Sequence, residues 1–291
     1  MEDEYEAIDE FAEGVGISVT WPNIHDQSVL LITLDSCRYD TFRGSATSAI
    51  SAVAPLHRAW APSHFTFGSH SAIFKGFLPS VLEPAPFLNS KFAKLFRLAH
   101  GGWPGKQGEI FQLEGPSIIE GFRRLGYPTI GTGAVGWFDP NSETGRCLTE
   151  EFDQFFFPGF TWGLPDQLDW LERTLKLLPE GPVLIFLNIG ETHVPYWYQG
   201  ANWDPEDNPC VPFQTVNRRK DCRRRQRWCL EYVDGQLFDL LQAFSAATIV
   251  ITADHGDCWG EDGLWEHGIS HHRTLEVPLL MRVRGCPISR V

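Results

Sequence analysis

The sequence predicts a doubly wound α/β domain, a largely parallel sheet with helices on both faces. Three observations carry that reading. Short runs that are apolar at nearly every position recur along the chain, beginning with Val-Leu-Leu-Ile-Thr-Leu at Val29–Leu34. Strands covered on both faces read this way, whereas half-exposed strands alternate. Longer segments of helix length separate the runs, and strands alternating with helices are the mark of parallel crossover units. The third observation is bulk: 291 residues, 43% hydrophobic and 21% charged, form an ordinary globular composition with enough chain for a sizeable core.

In chain order, residues 1–27 read as an acidic N-terminal surface segment, a solvated tail, with one short helix followed by a loop at Trp21-Pro22-Asn23 as the other option. Residues 28–291 read as a single domain. Its strand runs are Val29–Leu34, 127–131, 182–189, 247–252 and 277–283. Helix-like segments lie between them at 117–125, before Gly126-Tyr-Pro, and at 165–178 and 223–244. Two long stretches, about 77–114 and 137–161, are rich in Gly, Pro and Phe and show no period. Insertions of this kind at strand ends commonly build substrate pockets. The 11 Trp and 21 Phe must fill the core or line such a pocket.

The charge balance excludes several function classes. A net charge of −13 argues against broad nucleic-acid binding, which needs basic surface to neutralise phosphates. The longest apolar runs fall far short of the ~20 residues a membrane helix requires. The N-terminus is acidic, with no Lys or Arg before Arg38, the reverse of a secretory signal. Seven cysteines form no CxxC pair, so they read as reduced thiols of a cytoplasmic protein. The segment Arg218–Arg227 holds seven of the 24 basic residues. It reads as the solvated face of a helix start, with docking of a polyanion, or pairing to acidic residues within the chain or in a homo-oligomer, as the other options.

Two of the strand runs end in acidic groups. The first leads to Asp35, and the second to Asp254 and His255 in Thr-Ala-Asp-His-Gly-Asp. In open parallel sheets, ligands bind beyond the carboxyl ends of the strands. That rule brings Asp35, Asp254 and His255 to one crevice. Two carboxylates meeting there repel unless a cation sits between them, and a divalent metal is the simplest solution. Each Asp alone is weak evidence, since an Asp after a strand is often only a helix cap.

With these residues in hand, the sequence resembles the alkaline phosphatase/sulfatase superfamily, most closely its sulfatase-like hydrolase/transferase branch. Four motifs carry the resemblance, in the expected order from about Ser28 to Met281. They are Leu-Leu-Ile-Thr-Leu-Asp35-Ser-Cys-Arg-Tyr-Asp; Ala61-Pro-Ser-His-Phe-Thr66 through Lys75-Gly-Phe-Leu-Pro79; Glu191-Thr-His193-Val-Pro-Tyr; and Asp254-His255-Gly through Glu266-His267-Gly to Glu276-Val-Pro-Leu. The resemblance implies the doubly wound alkaline phosphatase-like core, here without the C-terminal subdomain of larger sulfatases. It also implies one metal site made by Asp35, Thr66, Asp254 and His255. Hard oxygens with one imidazole suit Mn²⁺, Zn²⁺, Mg²⁺ or Ca²⁺. One metal is favoured; a second would draw on Glu191, His193, His267, His271 or His272.

The second motif decides the chemistry. Sulfatases carry Cys or Ser in a Cys-x-Pro-x-Arg signature that is oxidised to formylglycine. Alignment on Lys75-Gly76-Phe-Leu-Pro79 puts Thr66 at the Cys position, Gly68 at its Pro and His70 at its Arg. Thr cannot become formylglycine, so Thr66 resembles the hydroxyl nucleophile of phosphotransferring members, activated by metal coordination. Cys37 lacks the modification signature and is no rival. His193 and His267 match positions that in relatives contact the transferred group or help the leaving oxygen depart. Asp40 and Asp257 read as structural supports.

The expectation is a metal-dependent hydrolase or phosphotransferase acting on a small phosphate ester, phosphodiester or phosphonate through a phospho-Thr66 intermediate. A sulfate-ester hydrolase without formylglycine is the near alternative. A catalytically silent ligand-binding protein on the same fold is the alternative of a different class.

Overall fold

The structure is a computed structural model in which residues 21–76, 96–100, 109–113, 115–212 and 216–289 are described, the second and third of these segments as backbone. Most of the acidic segment 1–27, most of the irregular 77–114 stretch and the Phe77–Pro79 end of the second motif lie outside the described residues.

In chain order the strands are β1 (Val29–Leu34), β2 (His57–Trp60), β3 (Phe96–His100), β4 (Glu109–Leu113), β5 (Thr129–Gly133), β6 (Gln154–Phe156), β7 (Leu184–Ile189), β8 (Thr248–Thr252), β9 (Cys258–Trp259), β10 (Trp265–Glu266), β11 (Glu276–Val283) and β12 (Cys286–Pro287). The α-helices are α1 (Tyr39–Gly44), α2 (Ser48–Ser51), α3 (Thr66–Lys75), α4 (Ile118–Arg124), α5 (Glu143–Thr149), α6 (Leu164–Leu177), α7 (Arg219–Ala243) and α8 (His272–Leu275).

One sheet organises the molecule, in the order β12-β11-β8-β1-β7-β5-β6, with β2 also paired to β11. Strands β8, β1, β7, β5 and β6 are mutually parallel. Their continuous apolar runs serve two cores, because successive side chains point to opposite faces. Leu30, Ile32 and Leu34 join Ile185, Leu187, Ile249 and Ile251 against α6 and α7. Val29, Leu31, Leu184 and Phe186 face the other way, against Phe67 and Phe74 of α3, Ile119 of α4 and Leu148 of α5. Nine of the 21 Phe lie in that second core or pack against it.

The run at 277–283 departs from the parallel expectation: β11 is antiparallel to β8, β2 and β12. The reason lies in the connection. Between β8 and β11 the only α-helix is the four-residue α8, too short for a crossover back to the far end of the sheet. The chain therefore turns at the carboxyl end of β8 and returns from there.

Helix α6 presents Leu164, Leu168, Leu171 and Leu175, the i, i+4, i+7 spacing of a single buried stripe. Helix α7 begins one turn before the expected 223–244 segment. Its first turn is held by Asp207, which pairs with Arg218 at 2.6 Å and Arg225 at 2.5 Å. Arg219 pairs with Glu261, Arg224 with Asp221 and Arg227 with Glu231. The basic cluster is thus largely spent on acids of its own chain rather than left as a bare solvated face. All seven cysteines are free, and no helix among the described residues is long and apolar enough to cross a membrane.

Candidate active site

Strands β1, β7 and β8 are neighbours in register, with Leu34 opposite Ile189 and Thr33 opposite Thr252. The residues just past their carboxyl ends therefore meet: Asp35 from β1, the Glu191–His193 turn from β7, and Asp254 and His255 from β8. Helix α3 delivers Thr66 to the same place as its first residue. Helix N-termini present free N–H groups and a positive dipole end, which favours an oxyanion there. Gly68 is needed for this approach, since a Cβ on it would come within 2.6 Å of Ser63 Oγ and 2.8 Å of the Phe65 ring. That explains why Pro is absent at this position.

Asp35, Thr66, Asp254 and His255 are all fully buried. The Thr66 hydroxyl lies 3.4 Å from Asp35 Oδ2 and 3.2 Å from His255 Nε2. His255 Nε2 is 3.5 Å from Asp254 Oδ2 and 3.7 Å from Asp35 Oδ1. Its other nitrogen, Nδ1, donates to the Gly256 carbonyl at 3.1 Å. A carbonyl only accepts, so the proton sits on Nδ1 and the Nε2 lone pair faces the carboxylates. Burial, reinforced by His267, holds the His255 pKa well below the usual imidazole value. Asp254 Oδ1 accepts from the Ser36 and His255 amides, whereas Oδ2 is buried without a partner. Burial and repulsion by Asp35 push the Asp254 carboxyl well above its usual range. Ligand atoms of Asp35, Asp254 and His255 all lie within 4.8 Å of one another. An orphaned carboxylate oxygen, a second carboxylate and an imidazole lone pair aimed at one point are the donor set that a divalent cation fits.

His267 flanks this cluster, its ring 4.4 Å from His255 and 5.1 Å from His193 between centroids. Its Nδ1 donates to Asp257 Oδ1 at 2.8 Å. Burial acts to lower the His267 pKa, but the Asp257 hydrogen bond and charge win and raise it above the ordinary value. Asp257 Oδ2 accepts from Tyr196 at 2.7 Å, and the Tyr196 oxygen accepts from Trp259 Nε1 at 2.8 Å. A chain of three buried groups thus fixes the tautomer of His267 and leaves its Nε2 facing away from Asp257. His255, Asp257 and His267 also cluster within reach of one cation, yet both Asp257 oxygens already accept hydrogen bonds. His193 Nδ1 donates to the Val194 carbonyl at 2.7 Å.

Other expected candidates go elsewhere. Glu191 Oε1 accepts from the Leu164 amide at 2.9 Å and so caps α6; burial pushes its carboxyl up to about 8. His271 caps α8 and pairs with Asp262, and His272 is exposed. Neither joins the cluster. Cys37 is buried, and burial raises its thiol far above the usual value, which makes it inert. Asp40 is ion-paired to Arg38 and Arg273, a structural duty.

No protein-family model and no curated protein sequence matches the chain. Solved structures do resemble it. The C-terminal periplasmic domain of phosphoethanolamine transferase EptC from Campylobacter jejuni superposes with a TM-score of 0.57 at 14% identity, covering 89% of this chain and 80% of that one. A protein in the alkaline phosphatase superfamily from Vibrio parahaemolyticus gives 0.54 at 14% identity, covering 92% and 62%. The chain has the alkaline phosphatase superfamily fold. The phosphonate monoester hydrolase of Agrobacterium radiobacter shares it, with a TM-score of 0.56 at 14% identity over 91% of this chain and 70% of that one.

Four residues whose duties sequence reading passed over complete the site within this superfamily fold. Asn188 of β7 donates to Asp35 Oδ2 at 3.2 Å; a lone amide at the end of the apolar run Leu-Ile-Phe-Leu-Asn-Ile was the available signal. Gln226 of α7 donates to the Ser36 and Thr192 carbonyls and accepts from Thr41 and the Arg38 amide. It ties the turns after β1 and β7 together. Ser36 adopts a left-handed φ of 60°, a strained choice for a residue with a side chain, and its amide is thereby aimed at Asp254. Arg38 lies buried beneath Trp259, its guanidinium 4.1 Å from the ring centroid, and pairs with Asp40 and Glu261.

Proposed function

We propose that the chain is a metal-dependent hydrolase or transferase that moves the phosphoryl group of a phosphate ester, phosphodiester or phosphonate. The single observation that carries this reading is the Thr66 hydroxyl at the N-terminus of α3, 3.4 Å from Asp35 and 3.2 Å from His255 beside the orphaned Asp254 oxygen. Asp35, Thr66, Asp254 and His255 would hold the ion. When bound, a divalent cation offsets the charge of the two carboxylates and lowers the pKa of a coordinated hydroxyl. The Thr66 hydroxyl faces Asp35 Oδ2, the acceptor for its proton. Thr66 Oγ attacks phosphorus in line, forming phospho-Thr66 as the bond to the leaving oxygen breaks. Free N–H groups of the first α3 turn face the phosphoryl oxygens. The leaving oxygen takes a proton from His267 Nε2, whose elevated pKa suits an acid, and His193 stands beside it. Water or an acceptor alcohol then attacks phospho-Thr66 and regenerates the hydroxyl.

The names of the two enzymes that share the fold, a phosphoethanolamine transferase and a phosphonate monoester hydrolase, support phosphoryl chemistry without choosing between acceptors. The seven free thiols support a reducing compartment as its place of work. The test is Thr66→Ala assayed on aryl phosphate monoesters, diesters, phosphonates and sulfates, with metal content measured by elemental analysis. Turnover should vanish while metal is retained, and the wild type should prefer phosphoryl over sulfuryl esters. Near-normal turnover by Thr66→Ala, or faster cleavage of the aryl sulfate, would sink the proposal.

A further inference from the structure

We infer that His70 is the positioning residue of the nucleophile, because it closes a hydrogen-bonded ring that starts at the Thr66 carbonyl and returns to the Thr66 hydroxyl. The inference rests on the reading of Thr66 as nucleophile. It assigns a task to a residue that the mechanism above does not use.

The ring has five links. His70 Nδ1 lies 2.8 Å from the Thr66 carbonyl oxygen, one helical turn back along α3. His70 Nε2 lies 2.9 Å from Thr33 Oγ1. Asn188 Nδ2 lies 3.2 Å from Thr33 Oγ1 and 3.2 Å from Asp35 Oδ2. Asp35 Oδ2 accepts from the Thr66 hydroxyl at 3.4 Å. The protons of four links are dictated, and the Thr66 hydroxyl stands between Asp35 Oδ2 and His255 Nε2. The Thr66 carbonyl only accepts, so Nδ1 carries hydrogen. Nε2 of the neutral ring then accepts from the Thr33 hydroxyl, whose oxygen in turn accepts from the Asn188 amide. The second Asn188 hydrogen goes to Asp35.

The circuit lies in the protein interior. Thr33, Asp35, Thr66, His70 and Asn188 are all fully buried. The imidazole is boxed by phenylalanine rings, with centroids at 4.9 Å for Phe138, 5.5 Å for Phe186 and 5.9 Å for Phe74. That box leaves Thr66 and Thr33 as the polar partners of the ring nitrogens. Asp254 Oδ2, at 3.8 Å from Nδ1, is beyond hydrogen-bond range. Both ring nitrogens are thus engaged, Nδ1 by the Thr66 carbonyl and Nε2 by Thr33, and neither is free to contact the transferred group. It fixes the first turn of α3 against β1 and β7, so that the backbone and side chain of Thr66 are held from opposite ends of one circuit.

The test uses the metal-loaded protein and four variants. His70→Phe fills the box and removes both hydrogen bonds; His70→Asn keeps a donor at the Nδ1 position, and His70→Gln an acceptor near Nε2. Thr33→Val removes the far link. His70→Phe should lower kcat by roughly 10–100-fold, the order expected for a slightly misplaced reacting group, with KM and bound metal unchanged. His70→Asn should recover part of the loss. Thr33→Val combined with His70→Phe should be no worse than His70→Phe alone, because the ring is already open. A readout independent of turnover is nitrogen NMR of the metal-free and metal-loaded protein, which should show a neutral Nδ1–H tautomer whose Nε2 signal moves in Thr33→Val. If His70→Phe fails to fold, Thr33→Val and the NMR tautomer still decide. Wild-type kcat in His70→Phe or Thr33→Val, multiplying losses in the double variant, or an Nε2–H tautomer would each overturn the inference. Retained turnover in Thr66→Ala would instead remove the nucleophile reading on which it stands.

Discussion

Asp257 carries no chemistry of its own, yet it sets the proton affinity of His267 through a hydrogen bond of 2.8 Å. The sign of the resulting pH dependence follows. The folded pKa of His267 lies above its ordinary value, so the imidazolium acid is present at low pH and is lost as pH rises through that raised pKa. Asp257→Asn should move the alkaline limb of the kcat profile to lower pH, measured on a substrate with a poor leaving group. His267→Ala should lower kcat by about 10²–10⁴-fold on the same substrate, and less on one with a good leaving group. Superimposable pH profiles for Asp257→Asn and wild type would refute the dyad. Metal analysis of His267→Ala should show unchanged content, because Asp257 already occupies the histidine.

The same logic acts on an element through Glu191, which caps α6 while buried. Burial pushes its carboxyl from the ordinary glutamate range up to about 8, so the folded state holds a proton that the unfolded state releases. Its stabilising contribution is present below the unfolded pKa and is lost as pH rises through the folded one. Stability should fall by up to ~1.4 kcal/mol per pH unit within that window. Glu191→Gln keeps an acceptor for the Leu164 amide but has no proton to release. Its urea-unfolding free energy should therefore show a flatter slope across the window, and parallel curves would contradict the assignment. Helix α7 offers a second case. Gln226→Leu strands two buried carbonyls and a buried hydroxyl, each costing about 1–3 kcal/mol. A markedly lower Tm and weaker metal affinity are expected together, since the turns that Gln226 joins carry Asp35 and His193. An unchanged Tm would show that those groups find other partners.

Elements were legible wherever one period dominated. The runs at 29–34, 182–189 and 247–252 announced strands because both faces are buried, and the ends of β1 and β8 announced Asp35 and Asp254. Helix α3 was not legible as a helix. Its ten residues mix Gly68, Ser69 and His70 with Phe67 and Phe74, and nearly all are buried, so no polar face marks the period. Thr66 was therefore reached by motif rather than by pattern. The partners of the site residues stayed hidden for a different reason: Asn188, Gln226 and Tyr196 act by touching residues far away in the chain. Only the register of the strands brings them together.

For the whole molecule, the proposed metal site of Asp35, Asp254 and His255 would couple metal binding to global stability. Without a cation, burial and mutual repulsion oppose the ionised carboxylates. An ion bound only by the folded chain stabilises it by ~2.7 kcal/mol at a hundred times its Kd. Calorimetry should show Tm rising with added divalent metal and falling on chelation. Asp254→Ala should abolish that response while remaining folded, since it removes a charged ligand and not core volume. A metal-responsive Tm in Asp254→Ala would place the ion elsewhere.

Strand β1 stands at the middle of the sheet, yet both of its neighbours come much later in the chain, at Leu184–Ile189 and Thr248–Thr252. On a ribosome adding about 5–20 residues per second, the strand that carries Asp35 would wait roughly 10–40 s before β8 exists to flank it. During that interval β1 is an apolar ribbon with two open edges until β7 is made and one open edge afterwards, the kind of segment that chaperones shield and that aggregates when they do not. Asp254 and His255 arrive directly behind β8. The event that covers the second edge of β1 is thus also the one that brings Asp254 and His255 to Asp35.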